Sequence, residues 1–397
     1  MSVIVTNARN RIAYNIVKSL GSKEIPVYTA DFVPRSMSFY SRYSLSDFIY
    51  PSPYRNQIEF IDSLIYNIRR LGAGVLIPVH EETFLISKFK SKLNPHIRMV
   101  IPDYDKILVA HNKDQWEQVA QSLGILVPRS YSIDAMRSGS ITPREIQFPM
   151  LIKPKQGGGA WGIQQANSSE QLERLLEPDH YLGRPWSRFF LQEKIAGETH
   201  CVAMLFRLGE IRAKITYRQL RDYPVSGGQA TLRVSLRNES AEEYLRILLK
   251  ELRWHGVCQA DFIVDRNSGK NYLIDLNPRF WGSLTQAVAS GVDFPYLIYK
   301  IATQGDVEPV ASFQTGVFTR WLGGDIMTFI PLLRKSKDRF GFIKEYLSPC
   351  DGKVLYDDFS LKDPLPFIAW TADTVLRSIK NCFRNSKKND FLEGIWD

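Results

Sequence analysis

Three oxygen-bearing side chains fall at a spacing suited to a hard cation. Gln259-Ala-Asp-Phe-Ile-Val-Asp265 and Asn271-Tyr-Leu-Ile-Asp-Leu-Asn-Pro-Arg-Phe280 are rich in β-branched and aromatic residues and read as strands. Arg266-Asn-Ser-Gly-Lys270 between them carries turn chemistry. A hairpin centred on Ser268 pairs Asp265 with Asn271, Ile263 with Leu273 and Asp261 with Asp275. Cross-strand partners then stand about 4.5–5.5 Å apart at their Cβ atoms. Asn277, two residues past Asp275, shares that face. Facing carboxylates destabilise a hairpin unless a cation lies between them. Oxygen-only donors suit Mg²⁺, with Mn²⁺ as a substitute. The competing reading is an exposed acidic hairpin edge.

A second constellation suits phosphate. Met150-Leu-Ile-Lys-Pro154 reads as a strand that runs into Lys155-Gln-Gly-Gly-Gly-Ala-Trp-Gly-Ile163. Gly157, Gly158, Gly159 and Gly162 let backbone N–H groups approach an anion, and Lys153 and Lys155 bring positive charge beside them. No GK[ST] follows, so this is not a P-loop; the competing reading is a surface turn. Further on, the apolar strand ending at Glu193-Lys194-Ile195 can offer backbone N–H and C=O groups to an adenine edge, and Glu198 can accept from ribose hydroxyls. An exposed polar strand end explains that segment equally well.

Other candidates lie on the substrate side. In Tyr217-Arg-Gln-Leu-Arg-Asp-Tyr-Pro-Val-Ser-Gly-Gly-Gln229, Arg218 and Arg221 with Gly227 and Gly228 can clamp a carboxylate or acyl phosphate. A solvated basic loop is the alternative. Glu81 and Glu82 follow the strand Gly74–Pro78, at the usual ligand edge of a doubly wound sheet, or simply start a helix. Arg320 is a weaker candidate. His111, His200 and His255 lack metal-ligand spacing and read as structural. Cys258 reads as core, and no nucleophile–His signature is present.

These residues need elements to hold them. Residues 1–110 alternate short β-rich runs (Val3–Thr6, Pro26–Thr29, Gly74–Pro78, Arg98–Pro102) with helices near 11–20 and 57–71, the pattern of a parallel doubly wound sheet. The first loop is Asn7-Ala-Arg-Asn10 rather than GxGxxG, which argues against a dehydrogenase. A helix at about 112–123 follows, with a strand expected at Gly124–Pro128. Residues 150–305 shift to strands and hairpins, an α+β character, and 306–397 are less regular. The stretch Asp373–Lys380 has helical periodicity, for a packed terminal helix or, less favoured, a membrane-surface helix.

Composition bounds the rest. The chain has 397 residues, 44% hydrophobic and 23% charged, enough for two or three domains. Its net charge of +9 favours an anionic ligand. The basic residues are scattered, and no nucleic-acid-binding signature appears. Cys201, Cys258, Cys350 and Cys382 are irregularly spaced, as in a reduced cytoplasmic protein. No secretory signal is evident at the N-terminus, and no apolar run approaches the roughly 20 residues of a membrane span.

In order, Asn112-Lys-Asp114, Leu151-Ile-Lys-Pro154, Gly157–Gly162, Leu191-Gln-Glu-Lys194, Ala260-Asp-Phe262 and Leu273-Ile-Asp-Leu-Asn-Pro-Arg-Phe280 resemble the ATP-grasp superfamily. Asn277–Ser283 and Gly291–Pro295 look like a carboxylate–amine ligase branch, which in turn resembles the ATP-binding region of carbamoyl-phosphate synthase. The resemblance covers about residues 3–305. It implies a pre-ATP-grasp α/β domain (1–110) and a two-lobed ATP-grasp domain (111–305, small lobe about 111–195, large lobe about 196–305), followed by a C-terminal extension (306–397). It implies that Lys113 and Lys153 contact phosphates and that the 157–162 loop closes over them. Glu193, Lys194 and Ile195 are implied as the adenine hinge, with Glu198 at the ribose. Asp261, Asp275 and Asn277 become Mg²⁺ ligands, and Arg279 stabilises the transferring phosphoryl group. Asp275 stands where glutamate is usual, and Trp161 occupies a loop position more often small or basic.

The implied activity is ligation of a small-molecule carboxylate to an amine, or less favourably a thiol, through an acyl phosphate formed from Mg-ATP. A non-catalytic ATP-binding sensor or scaffold and a bicarbonate-using carboxylase are the alternatives. Neither nucleic acid nor a membrane-spanning segment is expected, and a homodimer is one option for assembly.

Overall fold

The computed structural model describes residues 1–142, 146–156, 162–177, 180–224, 227–347 and 354–383. The apolar runs of the first hundred residues form a parallel sheet. β1 (Val3–Val5), β2 (Val27–Asp31), β3 (Ser46–Ile49) and β4 (Val75–Ile77) stand in the order β3-β2-β1-β4, every pairing parallel. β1 and β4 are buried throughout, as strands covered on both faces must be. The helices Arg11–Gly21 and Gln57–Leu71 begin where Asn10 and Asn56 accept from the N–H groups of Ile12 and Glu59. The second ends on Gly72, whose φ of 58° is the left-handed cap that glycine adopts without strain. The expected strand Arg98–Pro102 reduces to one parallel bridge between Val75 and Arg98. Pro102 has no N–H for a ladder, and Val100 and Ile101 insert into two different cores instead.

The expected helix at 112–123 is present as Lys113–Ser122, capped by Asn112. Gly124–Pro128 is not a strand; Leu126 contributes only its carbonyl, to the N–H of Leu273. A second, antiparallel sheet follows, from β5 (Ser130–Ser132), β6 (Met150–Pro154), β7 (Gln164–Ala166) and, after the small hairpin β8 (His180–Tyr181) and β9 (Arg184–Pro185), β10 (Phe189–Glu193). Its order is β5-β10-β6-β7.

The large sheet carries β11 (Gly197–Arg207), β12 (Glu210–Tyr223), β13 (Gln229–Ser235), β14 (Gly256–Asp265), β15 (Asn271–Asn277), β16 (Phe318–Arg320) and β17 (Val354–Tyr356). Their order is β15-β14-β11-β12-β13-β16-β17. All pairings are antiparallel except β16 with β17. β11 shows why the sheet sits centrally. Cys201, Ala203 and Leu205 face a core shared with Ile12, Ile16 and Phe294, while Val202, Met204 and Phe206 face Trp116, Leu245 and Trp254.

The last described segment is tied back into the molecule. β16 and β17 extend the large sheet, and Asp363 accepts from Ser41 Oγ at 2.6 Å and from the Arg42 N–H at 3.0 Å. The terminal helix Leu365–Phe383 lays Trp370 over Gly323 and leaves Leu365, Ile368, Val375 and Leu376 exposed. No helix among the described residues is long and apolar enough to cross a membrane.

Candidate active site

A cleft of about 560 Å³ lies between the small antiparallel sheet and the large sheet. Its walls bring together Lys113, Lys153, Glu193, Lys194, Ile195, Asp261, Asp275, Asn277 and Arg279, residues scattered over some 165 positions of sequence.

The hairpin β14–β15 supplies the acidic end. Asp261 pairs with Asp275 and Gln259 with Asn277. The expected register is corrected nearer the turn, where Val264 rather than Asp265 faces Asn271, and Tyr272 rather than Leu273 faces Ile263. A bulge between Asp261 and Phe262 on one side and Leu273 and Asp275 on the other absorbs the one-residue slip. The two carboxylates therefore still meet. Asp261 accepts from Gln259 Nε2 at 2.6 Å and from Cys201 Sγ at 2.9 Å. Burial, and then the charge of Asp275, push its carboxyl up to about 6. Asn277 donates to Gln259 Oε1 at 2.9 Å, so its own carbonyl oxygen remains an acceptor.

The basic side faces this patch. Lys113 opens its helix and reaches Asp275 Oδ1 at 2.6 Å. Lys153 on β6 donates to Gln192 Oε1 at 2.6 Å, and Gln192 donates onward to Glu117 at 2.8 Å. Burial, reinforced by the Lys113 charge, lowers Lys153 to about 8. Arg279 lies 3.4 Å from Glu81 Oε1 and donates to the Phe280 carbonyl at 3.3 Å.

This donor set fits a magnesium nucleotide. Two facing carboxylates and an amide oxygen are all hard donors. The ammonium of Lys113 against Asp275 shows that the patch accepts positive charge. No group of three or more His, Cys, Asp or Glu side chains forms a metal cage among the described residues. Mg²⁺ matches that sparse set, because it is held by one or two carboxylates plus substrate phosphates rather than by an all-protein cage.

The segment from Glu193 to Gly197 has its own constraint. A Cβ on Gly197 would collide with the carbonyl of Val264, so only glycine lets β11 start beside β14. Lys194 Nζ donates to Gln165 Oε1 at 2.7 Å across the cleft wall. Gly162 is described, with φ +71°, whereas Gly157, Gly158, Gly159 and Trp161 lie outside the described residues.

Other candidates go elsewhere. Arg218 turns to Glu198 at 2.9 Å, and neither lines the cleft. Arg221 lies 3.4 Å from Asp325 and stacks on Tyr346, 3.9 Å from the ring centroid. Arg320 pairs with Asp325. The reason is strand parity. Tyr217 and Gln219 face the cleft, so Arg218 faces away. A bulge around Leu220 then keeps Arg221 on the far face and turns Asp222 into the cleft. Lys155 pairs with Asp114 at 3.0 Å, outside the cleft wall. Glu82 is wholly buried, accepts from Tyr50 and Asn7, and is pushed up to about 7 by burial and then by Asp31, so it belongs to the interior rather than to a substrate site. His200 is bonded to Asn238, and His255 accepts from the Leu208 N–H. Cys258 is a buried free thiol, in keeping with a core role, while Cys350 lies outside the described residues.

Sequence reasoning missed Gln192, Gln219, Asp222, Gln229, Gln259 and Trp281 on the cleft wall. Gln259 had a usable signal, since it precedes Asp261 by two on one strand face. Asp222 had none, because only the bulge reveals its direction.

A family model described as an ATP-grasp domain matches residues 110–283. A D-alanine–D-alanine ligase from Fusobacterium nucleatum is 27% identical over 179 residues, 43% of this chain and 56% of that enzyme. The match thus spans little more than half the length of that relative. Among solved structures, biotin carboxylase from Campylobacter jejuni in its β-γ-ATP complex has a TM-score of 0.64 at 16% identity, over 80% of this chain and 74% of that one. An L-amino acid ligase from Bacillus licheniformis has a TM-score of 0.59 at 13% identity, over 78% of each chain. These two likenesses establish a shared fold. Over residues 110–283, then, the chain is similar to an ATP-grasp domain.

Proposed function

We propose that the protein joins a carboxylate to an amine at the expense of ATP, through an acyl phosphate. The observation that carries this reading is the facing pair Asp261 and Asp275, with Asn277, set against Lys113 and Lys153 in one cleft below the Glu193–Ile195 hinge. We take residues 111–305 as the catalytic unit, its small lobe at about 111–195.

In this mechanism the hinge backbone holds adenine, and Lys153, buried and fixed by Gln192, presents its ammonium to phosphate oxygens. Asp261, Asp275 and Asn277 would hold Mg²⁺, which would supply charge neutralisation at the phosphate oxygens. The substrate carboxylate oxygen attacks the γ-phosphorus, ADP leaves, and an acyl phosphate forms. The neutral amine nitrogen then attacks the acyl carbon, the C–O bond to phosphate breaks, and the nitrogen gives up one proton to leave the amide. Arg279, held by Glu81 at the cleft wall, offsets charge on the transferring group. Lys113 leaves Asp275 for a phosphate when nucleotide binds. The wall residues exclude water, which would otherwise hydrolyse the acyl phosphate.

The test is ADP release from MgATP with pooled carboxylic acids and pooled amines. Release that needs both pools supports the ligase. Release with bicarbonate alone would instead favour the carboxylase, and nucleotide binding without release under any mixture would favour the sensor.

A further inference from the structure

Among the described residues of the cleft is a carboxylate, Asp222, that the chemistry above leaves unused. Asp222 stands near the end of β12, opposite Ala230 of β13, on the cleft wall. The arginines flanking it in sequence are committed elsewhere, Arg218 to Glu198 and Arg221 to Asp325. Among the described residues Asp222 enters no ion pair, and its Oδ1 is buried without a hydrogen-bond donor. A buried, ionised carboxylate is stable only when it is paired. A cationic donor arriving from the cleft would supply the partner that Oδ1 lacks.

The surroundings narrow the class. Gln219 on the same strand face donates one amide N–H to Cys201 Sγ at 3.1 Å, and its carbonyl oxygen can accept. A Cβ on Gly228 would collide with Tyr223, so the strand turn stays bare beside Asp222. Acceptors without a resident cation suit a primary ammonium, which offers three donors and one charge. They do not suit bicarbonate or any other anion.

We propose that Asp222 recognises the amine substrate, binding it as a primary ammonium ion. The proposal rests on the ligase reading and deepens it, because it names the side chain that would hold the amine.

The test uses the full chain with MgATP and pooled carboxylic acids, and compares two nucleophiles. Hydroxylamine, mostly uncharged at pH 7.5, traps an acyl phosphate as a hydroxamate. The twenty amino acids and short diamines serve as the ammonium pool. Asp222→Asn keeps the shape and removes a buried unpaired charge, so the fold survives. In it, amine-dependent turnover is expected to need at least about tenfold more amine, relative to any change in hydroxylamine trapping. Asp222→Glu is expected to recover part of that difference. Equal effects on both nucleophiles would overturn the proposal. A shift in the Mg²⁺ requirement in place of the amine requirement would also overturn it, and would make Asp222 a metal ligand. A wild-type protein that forms no hydroxamate rejects the ligase reading itself, and the proposal with it.

Discussion

Lys153 carries the clearest pH signature in the cleft. Burial holds it at about 8, below its ordinary 10.5. The unfolded chain therefore binds the extra proton between those values, and the stability of the ligand-free protein gains from rising pH across that window. Nucleotide binding follows the opposite sense, because the charged ammonium is what phosphate needs. The KM for MgATP should rise as pH passes about 8. Lys153→Met should raise it at pH 7 by roughly 10- to 100-fold, the worth of a charge-assisted hydrogen bond, and flatten the pH profile. A KM with an unaltered profile in that variant would remove Lys153 from the phosphate site. At this scale the sequence revealed what period-two alternation controls. Asp261, Asp275 and Asn277 converge because strand residues two apart share a face. Arg218 and Arg221 were misdirected, and Asp222 overlooked, because face assignment on β12 turns on its parity and a bulge around Leu220.

Two elements decide how the cleft is framed. At the hinge, β11 starts so close to β14 that Gly197 has no room for a methyl group. Gly197→Ala should destabilise the fold by about 1–3 kcal/mol, the usual penalty of overpacking, read as a lower urea midpoint. An unchanged midpoint would mean that the two strands part easily. At the other edge, the wholly buried Arg233 anchors β13 to the C-terminal segment through Asp357, also wholly buried, and donates to Thr319 Oγ1 at 2.8 Å and to Ser283 Oγ at 3.1 Å. Asp357→Ala strands that cation and should destabilise the protein by about 3–5 kcal/mol. A loss under 1 kcal/mol in urea unfolding would show that the remaining acceptors suffice. In the parallel sheet of residues 1–110, β1, β2 and β4 were legible as apolar runs; β3 (Ser-Asp-Phe-Ile), half polar and mostly exposed, was not, and the apolar run Arg98–Pro102 forms only a bridge. Nor were β16 and β17 legible. Each is three residues long, too short to show a period, and each is recruited by pairing that the local sequence does not encode.

Across the whole molecule, one core joins Ile12 and Ile16 of the first unit to β11 and β12 of the large sheet, so the cleft wall and the first unit share their packing. Ligand binding at the cleft should then stabilise the entire chain by mass action. A non-hydrolysable ATP analogue with Mg²⁺ at a hundred times its Kd should add about 2.7 kcal/mol, seen as a rise in Tm. Asp275→Ala should abolish that rise while keeping a cooperative unfolding transition; an undiminished rise would contradict the assignment of Asp275 to the metal. Beyond binding, the account stands on the acyl phosphate. It is tested most directly by supplying the acid found in the ADP-release screen with ¹⁸O in its carboxylate, together with its amine and MgATP, and following the label. The mechanism predicts that each inorganic phosphate released carries one ¹⁸O from the carboxylate, because that oxygen attacks the γ-phosphorus and leaves with it. Unlabelled phosphate formed alongside the ligated product would contradict the mechanism.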